Sequence, residues 1–296
     1  MELIKYFIEL LKFSARPLTI IYPIPVLQFV VFSQSTHDLN LLLIAILFSF
    51  TFYPAVNLWN HVNDVKEDIL GGKYNVFAEG LNVRILGVIL AILLYLAALL
   101  IVLKYGNYVS LALFILCFLI TWTYSDRLTL GRFLGRLKDN YVTELTSFVI
   151  SYPSFTLLIW TFFEDLNVKA IALSLTVLFF VLFGVFIKDI RDVSGDEKAG
   201  LKTIGVVFSP SSLIKLAYTS IILYYSTIIV CVLIDVYDVT TIISALPIIP
   251  TLLFVKQLKE KVWKLSLETL PYFKRTLLMN FVSIALFIVS GLLSQS

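Results

Sequence analysis

Asn57-Leu-Trp-Asn60-His61-Val-Asn63-Asp64-Val-Lys66-Glu67-Asp68 opens apolar and closes charged. Its first residues end the run Leu41–Asn60, which at about 20 residues has the length a helix needs to cross a bilayer. Asn60, Asp64 and Asp68 then recur at every fourth position, so a helix continuing through them carries all three on one face. The same transition occurs once more. The run Ala170–Ile187 passes into Lys188-Asp189-Ile-Arg191-Asp192-Val-Ser-Gly195-Asp196, where Asp189 and Asp192 share a face and Asp196 follows four residues later.

Outward from these stretches the chain is mostly apolar. Of its 296 residues, 59% are hydrophobic and 15% charged, against about 45–50% and about 25% in an ordinary globular domain. Mean hydropathy is +0.93. These values exclude a disordered chain, a coiled coil and a nucleic-acid-binding protein with a broad basic face. They also leave more apolar surface than a soluble domain can cover. Nine segments are long enough to span a membrane: Pro17–Ser33, Leu41–Asn60, Ile85–Leu103, Tyr108–Tyr124, Tyr141–Phe163, Ala170–Ile187, Ser212–Ile234, Val239–Val255 and Thr276–Leu293. Backbone groups in lipid must bond within their own segment, and continuous Leu/Ile-rich runs do so as helices. The expected fold is an all-α polytopic membrane protein of about nine helices, a single transmembrane domain over 1–296. Pro247 and Pro250 should kink the eighth segment, and Pro17, Pro23 and Pro25 crowd the first. Ahead of it, Leu3, Ile4, Phe7, Ile8 and Leu11 fall at helical spacing, with Lys5, Glu9 and Lys12 elsewhere. That pattern reads as a short amphipathic helix lying in the interface, not as a signal peptide.

Charge sorts between alternate loops. With nine spans, only Lys104 and Lys169 of the 23 lysines and arginines fall on one side. The positive-inside rule puts the rich side, with the N-terminus and both acidic stretches, in the cytoplasm, and the C-terminus outside. Acids gain nothing from that rule, so the two acidic stretches need their own reason. Two carboxylate clusters at like ends of separate helices would make a dense negative site if the helices met. Hard oxygen donors with few Cys or His nearby favour magnesium, which keeps positions open for substrate phosphates. One such cluster alone would read as a solvated helix end; two on one side, each with an i+4 carboxylate step, reverse that preference. Among the remaining residues, Cys117 and Cys231 fall mid-span and read as packing. His61 and Glu67 lie off the motif face, reading as packing and as solvated charge. Gly71-Gly72 reads as a turn. Glu144, about one turn inside the fifth segment, is an intramembrane acid and so a functional candidate, though close enough to the end to snorkel.

On these residues the chain resembles the UbiA superfamily of intramembrane prenyltransferases. Asn60-x-x-x-Asp64-x-x-x-Asp68 is similar to its NxxxDxxxD motif, and Asp192-x-x-x-Asp196 to its DxxxD motif, with Asp189 as the upstream acid. Gly195-Asp196-Glu-Lys-Ala-Gly200-Leu-Lys202-Thr203 resembles the continuation of the second motif, and Arg16-Pro17 is another recurrent feature. Two departures stand out. The stretch Gly71-Gly72-Lys73-Tyr74-Asn75 lacks the arginine-proline pattern of many members, and Tyr124 is not followed four residues later by lysine but by Leu128.

The resemblance implies helices bundled around a central cavity. It also implies transfer of a prenyl group from an isoprenyl diphosphate donor to a lipophilic acceptor among the membrane lipids. Carried over, it assigns Asp64, Asp68, Asp192 and Asp196 to two Mg2+ ions, with Asn60 and Asp189 completing their coordination. Asn60, Arg127, Lys138 and Lys188 are the candidates for the diphosphate, and Tyr124 for a ring face against an allylic cation. The many lysines on the motif side favour a phosphate-bearing acceptor, a glycerophosphate ether-lipid precursor. The runner-up is an aromatic quinone precursor such as 4-hydroxybenzoate. A secondary transporter would keep ionisable groups near the bilayer midplane, whereas these acids stand at span ends. A CDP-alcohol phosphotransferase would need an Asp-Gly dipeptide, which the chain lacks.

Overall fold

The computed structural model describes residues 8–10, 13–14, 24–266 and 268–294, without the side chains of residues 24, 25, 191 and 192. Its principal helices are α1 (Ile24–Gln34), α2 (Leu39–Asn63), the short α3 (Val65–Leu70), α4 (Leu81–Tyr105), α5 (Tyr108–Ser125), α6 (Tyr141–Trp160), α7 (Val168–Lys198), α8 (Pro210–Leu233), α9 (Ile248–Glu260) and α10 (Leu270–Leu293). Among the described residues, eight helical segments are long and apolar enough to cross a membrane. They are the second to ninth of the expected spans, and the protein is an integral membrane protein. Of the first, the described part is α1, Ile24–Gln34. Pro17, Pro23 and the interfacial positions Leu3, Ile4, Phe7 and Leu11 lie outside the described residues.

Local sequence explains the starts and breaks. Asp38, Asn107, Asn140, Asn167 and Ser209 each accept hydrogen bonds from free N–H groups at the start of a helix. The eighth segment breaks at Pro247, between a 3-10 turn, Val239–Ala245, and α9 from Ile248, whereas Pro250 lies in the first turn of α9, where no helix hydrogen bond is lost. Helix α7 has 31 residues, about 46 Å at 1.5 Å per residue, against about 30 Å of hydrocarbon core. The candidate span within it ends at Ile190, and the helix continues past that span through Asp192 and Asp196 to Lys198.

The helices close into a ring. α1 packs on α2, α2 on α4, α4 on α5, α5 on α6, α6 on α7 and α7 on α8; the 3-10 turn Val239–Ala245 and α10 then lead back to α1. Rings from α2, α5 and α6, among them Phe48, Phe52, Phe114 and Phe155, fill one side of the core. The opposite side is held by a polar ladder between α8 and α10. Tyr218 meets Thr276 at 2.9 Å, Tyr224 meets Ser283 at 2.8 Å, and Tyr225 donates to Asn280 at 3.1 Å, all buried.

Candidate active site

The two acidic stretches meet through glycine. A Cβ on Gly195 would stand 3.0 Å from Gly71 Cα and from the Glu67 carbonyl oxygen, so the end of α7 approaches α3 as closely as backbone allows. Gly72 takes φ +69°, the left-handed conformation that suits glycine in a turn. The pair thus divides its work: Gly72 turns the chain, and Gly71 receives the second motif.

Helix α2 ends at Asn63, yet Asp64 N donates to Asn60 O (2.8 Å) and Asp68 N to Asp64 O (2.9 Å). The helical path is therefore nearly unbroken, and Asn60, Asp64 and Asp68 line one cavity of about 540 Å3 with Asp189, Asp196, Tyr124, Lys138 and Lys188. Glu67, Glu144, His61, Lys73 and Thr203 join that lining. The Asp192 side chain lies outside the described ones. Arg127 is not among the lining residues.

Charge in this region is tightly paired. Lys138 Nζ lies 2.5 Å from Asp64 Oδ1, and Arg136 Nη1 3.4 Å from the same oxygen. Arg136 also reaches Glu67 at 2.7 Å and Asp139 at 2.6 Å, while Arg127 holds Glu67 at 2.5 Å. Asp68 receives Asn75 Nδ2 at 2.8 Å and lies 3.3 Å from His61 Nδ1. Burial acts to raise both acids, but it is outweighed: Lys138 and Arg136 hold Glu67, and His61 and Asn75 hold Asp68, below the usual carboxylate range. For Arg136, burial opposes its charge and Asp139 and Glu67 more than restore it.

Three readings of single residues change. Glu67 is not solvated: it is 5% exposed and clasped by two arginines. His61 packs on the Phe13 ring, as expected, but also contacts Asp68. Glu144 does not snorkel. It is buried, accepting from Ile204 N at 2.7 Å and from the Tyr124 hydroxyl at 3.2 Å. Arg136 was indistinguishable in sequence from the other loop bases; only the RLK run shared with Lys138 marks it.

A second cavity, of about 130 Å3, shares its wall with the first through Asn60 and Tyr124. It is lined by Phe52, Tyr53, Val56, Ile120, Phe148, Tyr152 and Phe155, and by Cys117. Pro54 in α2 and Pro153 in α6 each remove a helix hydrogen bond beside that lining.

The residues present fit magnesium. The donors are hard oxygens, and the buried Asn60 Oδ1 has no hydrogen-bond partner. Among the described residues, no three His, Cys, Asp or Glu side chains close a metal centre by themselves. That openness suits an ion that takes a few carboxylates and completes its shell with water and phosphate oxygens.

The protein is thus an integral membrane bundle in which a charged cavity shares a wall with an aromatic one. Residues 22–291 match the model of the UbiA prenyltransferase family, and the chain belongs to that family of enzymes. It is 33% identical over 264 residues to an uncharacterized protein of Archaeoglobus fulgidus, covering 87% of this chain and 90% of that one. Its fold is similar to that of a solved digeranylgeranylglyceryl phosphate synthase, with TM-score 0.70, 16% identity and 99% of both chains covered. It is also similar to a UbiA homologue from Archaeoglobus fulgidus bound to DMAPP and Mg2+, with TM-score 0.67, 16% identity, and 95% of this chain and 97% of that one covered.

Proposed function

We propose that this prenyltransferase moves a prenyl group from an isoprenyl diphosphate to a glycerophosphate ether-lipid precursor, with magnesium in the polar cavity. The observation that carries the reading is the wall shared by the two cavities at Asn60 and Tyr124. A diphosphate head suits the charged side and a prenyl chain the aromatic side, which sets the bond to be broken beside those two residues. Asp64, Asp68, Asp189 and Asp196, with Asn60 and, on the sequence pattern, Asp192, would hold two ions. Bound magnesium supplies charge neutralisation of the diphosphate as it leaves. Lys138 and Lys188 bind its oxygens, and Arg136 keeps Asp64 and Glu67 oriented. The Tyr124 ring faces the allylic cation, and the aromatic walls keep water from it. Lys73 adds a further cation for a phosphate on the acceptor. The likeness to a digeranylgeranylglyceryl phosphate synthase supports this acceptor, and the DMAPP- and Mg2+-bound homologue supports the donor head and the metal. We read residues 1–296 as one domain, with the motif end in the cytoplasm.

The test is incorporation of labelled geranylgeranyl diphosphate by the purified protein, with Mg2+ or with EDTA, into geranylgeranylglyceryl phosphate or 4-hydroxybenzoate. The expected result is a magnesium-dependent ether product from the first acceptor. A product from 4-hydroxybenzoate alone would reject the ether-lipid reading in favour of the aromatic one.

A further inference from the structure

Glu144 sits in the first turn of α6, at neither acidic motif, yet its two carboxylate oxygens face different parts of the site. Oε2 accepts the backbone N–H of Ile204 at 2.7 Å, and Oε1 accepts the Tyr124 hydroxyl at 3.2 Å. Ile204 follows Thr203, whose hydroxyl donates to Asp196 Oδ2 at 3.0 Å. The return segment is docked twice more. Lys202 N donates to Asp139 O at 3.1 Å, and a Cβ on Gly205 would come within 2.6 Å of the Asp189 carbonyl oxygen. A continuous line of contacts thus runs from Asp196 through Thr203, Ile204 and Glu144 to Tyr124, at the wall between the two cavities.

We infer that Glu144 is a positioning residue that couples the second acidic motif to Tyr124, so that a displacement at the motif is passed to the ring. The inference rests on the reading of Tyr124 given above. Its physical basis is rigidity: a buried carboxylate with both oxygens engaged has one geometry, and a shift at either partner is felt by the other. An amide in its place turns its one oxygen to the Ile204 N–H and can only donate toward the Tyr124 hydroxyl, so Glu144→Gln removes the charge and reverses the polarity of the Tyr124 bond.

The experiment uses the full-length protein with 3-fluorotyrosine introduced at position 124, followed by 19F NMR. The probe is inorganic pyrophosphate with Mg2+, and calorimetry reports its binding independently. The expected result is that the resonance moves on binding in the parent, and that in Glu144→Gln it stays still although binding persists. A resonance that moves equally in Glu144→Gln, or that ignores bound pyrophosphate in the parent, overturns the coupling and leaves the metal–diphosphate reading intact. A parent that binds no Mg–pyrophosphate overturns both. In turnover, Glu144→Gln should lower kcat about tenfold with KM for the donor unchanged, the size of one charge-assisted hydrogen bond. Tyr124→Phe should do the same, and the double variant should be no slower than either single one. Additive losses would mean that the two residues act separately.

Discussion

The ladder between α8 and α10 and the cavity between α3 and the end of α7 both bury polar groups in an apolar bundle, by opposite rules. In the ladder, Tyr218, Tyr224 and Tyr225 face only neutral partners, and the one group left over, Asn280 Nδ2, is neutral too. In the cavity, carboxylates and bases crowd together, and the buried Asn60 Oδ1 and Glu67 Oε2 find no hydrogen-bond partner. Neutral hydroxyls and amides that pair across an interface fix two helices without burying any charge. Charged groups that are only partly satisfied cost a fold far more than neutral ones, which makes the cavity the candidate site.

The contrast is sharpest at the second motif. Asp196→Asn should reduce prenyl transfer about a thousandfold, the scale of removing one preorganised electrostatic contact, with the thermal midpoint in detergent nearly unchanged. Activity within tenfold of the parent would dissolve the distinction between the two regions. Arg136→Met acts on stability instead: it leaves Glu67 buried with one fewer cation, and should cost about 3–5 kcal/mol. Adding Glu67→Gln should recover much of that, which thermal unfolding of the single and double variants checks. Gly195→Val forces α3 and α7 apart and should slow transfer about a hundredfold by misplacing the motifs. The α8–α10 side should keep its hydrogen-exchange protection.

Acid should also separate the regions. Glu67 is held below its ordinary 4.5, so the stability it contributes is present above that value and is lost as pH falls through the lowered one. Unfolding followed from pH 5 downward should steepen in that window, and Glu67→Gln should flatten it. The smallest effect belongs to the ladder. Tyr225→Phe should cost about 0.6 kcal/mol, the mean for such bonds inside membranes, and leave transfer rates alone.

The sequence made the helices legible because hydropathy and caps are local, and the shared face of Asn60, Asp64 and Asp68 legible because four-residue spacing is a property of one helix. Glu67 was misread for the same reason. Its helix points it off the motif face, and only the 126–139 loop, folding Arg127 and Arg136 over it, buries it. Lys138, Arg136 and Arg127 all satisfy the same topological charge bias, so sequence could not tell that the first lines the cavity, the second braces it and the third stands outside its lining. Glu144 required knowing that Ile204 and Tyr124 come to it from opposite sides, contacts between helices that no periodicity encodes.

The Gly71–Gly195 approach also sets an order of events. During synthesis the first motif leaves the ribosome behind α2, and its counterpart follows only after α4, α5, α6 and nearly all of α7. Domains form from their N-terminal side as they are made, so the first stretch must wait through nearly four further helices before the backbone contact with Gly195 can close. A nascent chain arrested before the end of α7 carries the first acidic stretch without the second. The charged cavity is thereby completed only after most of the helices that line it have been made.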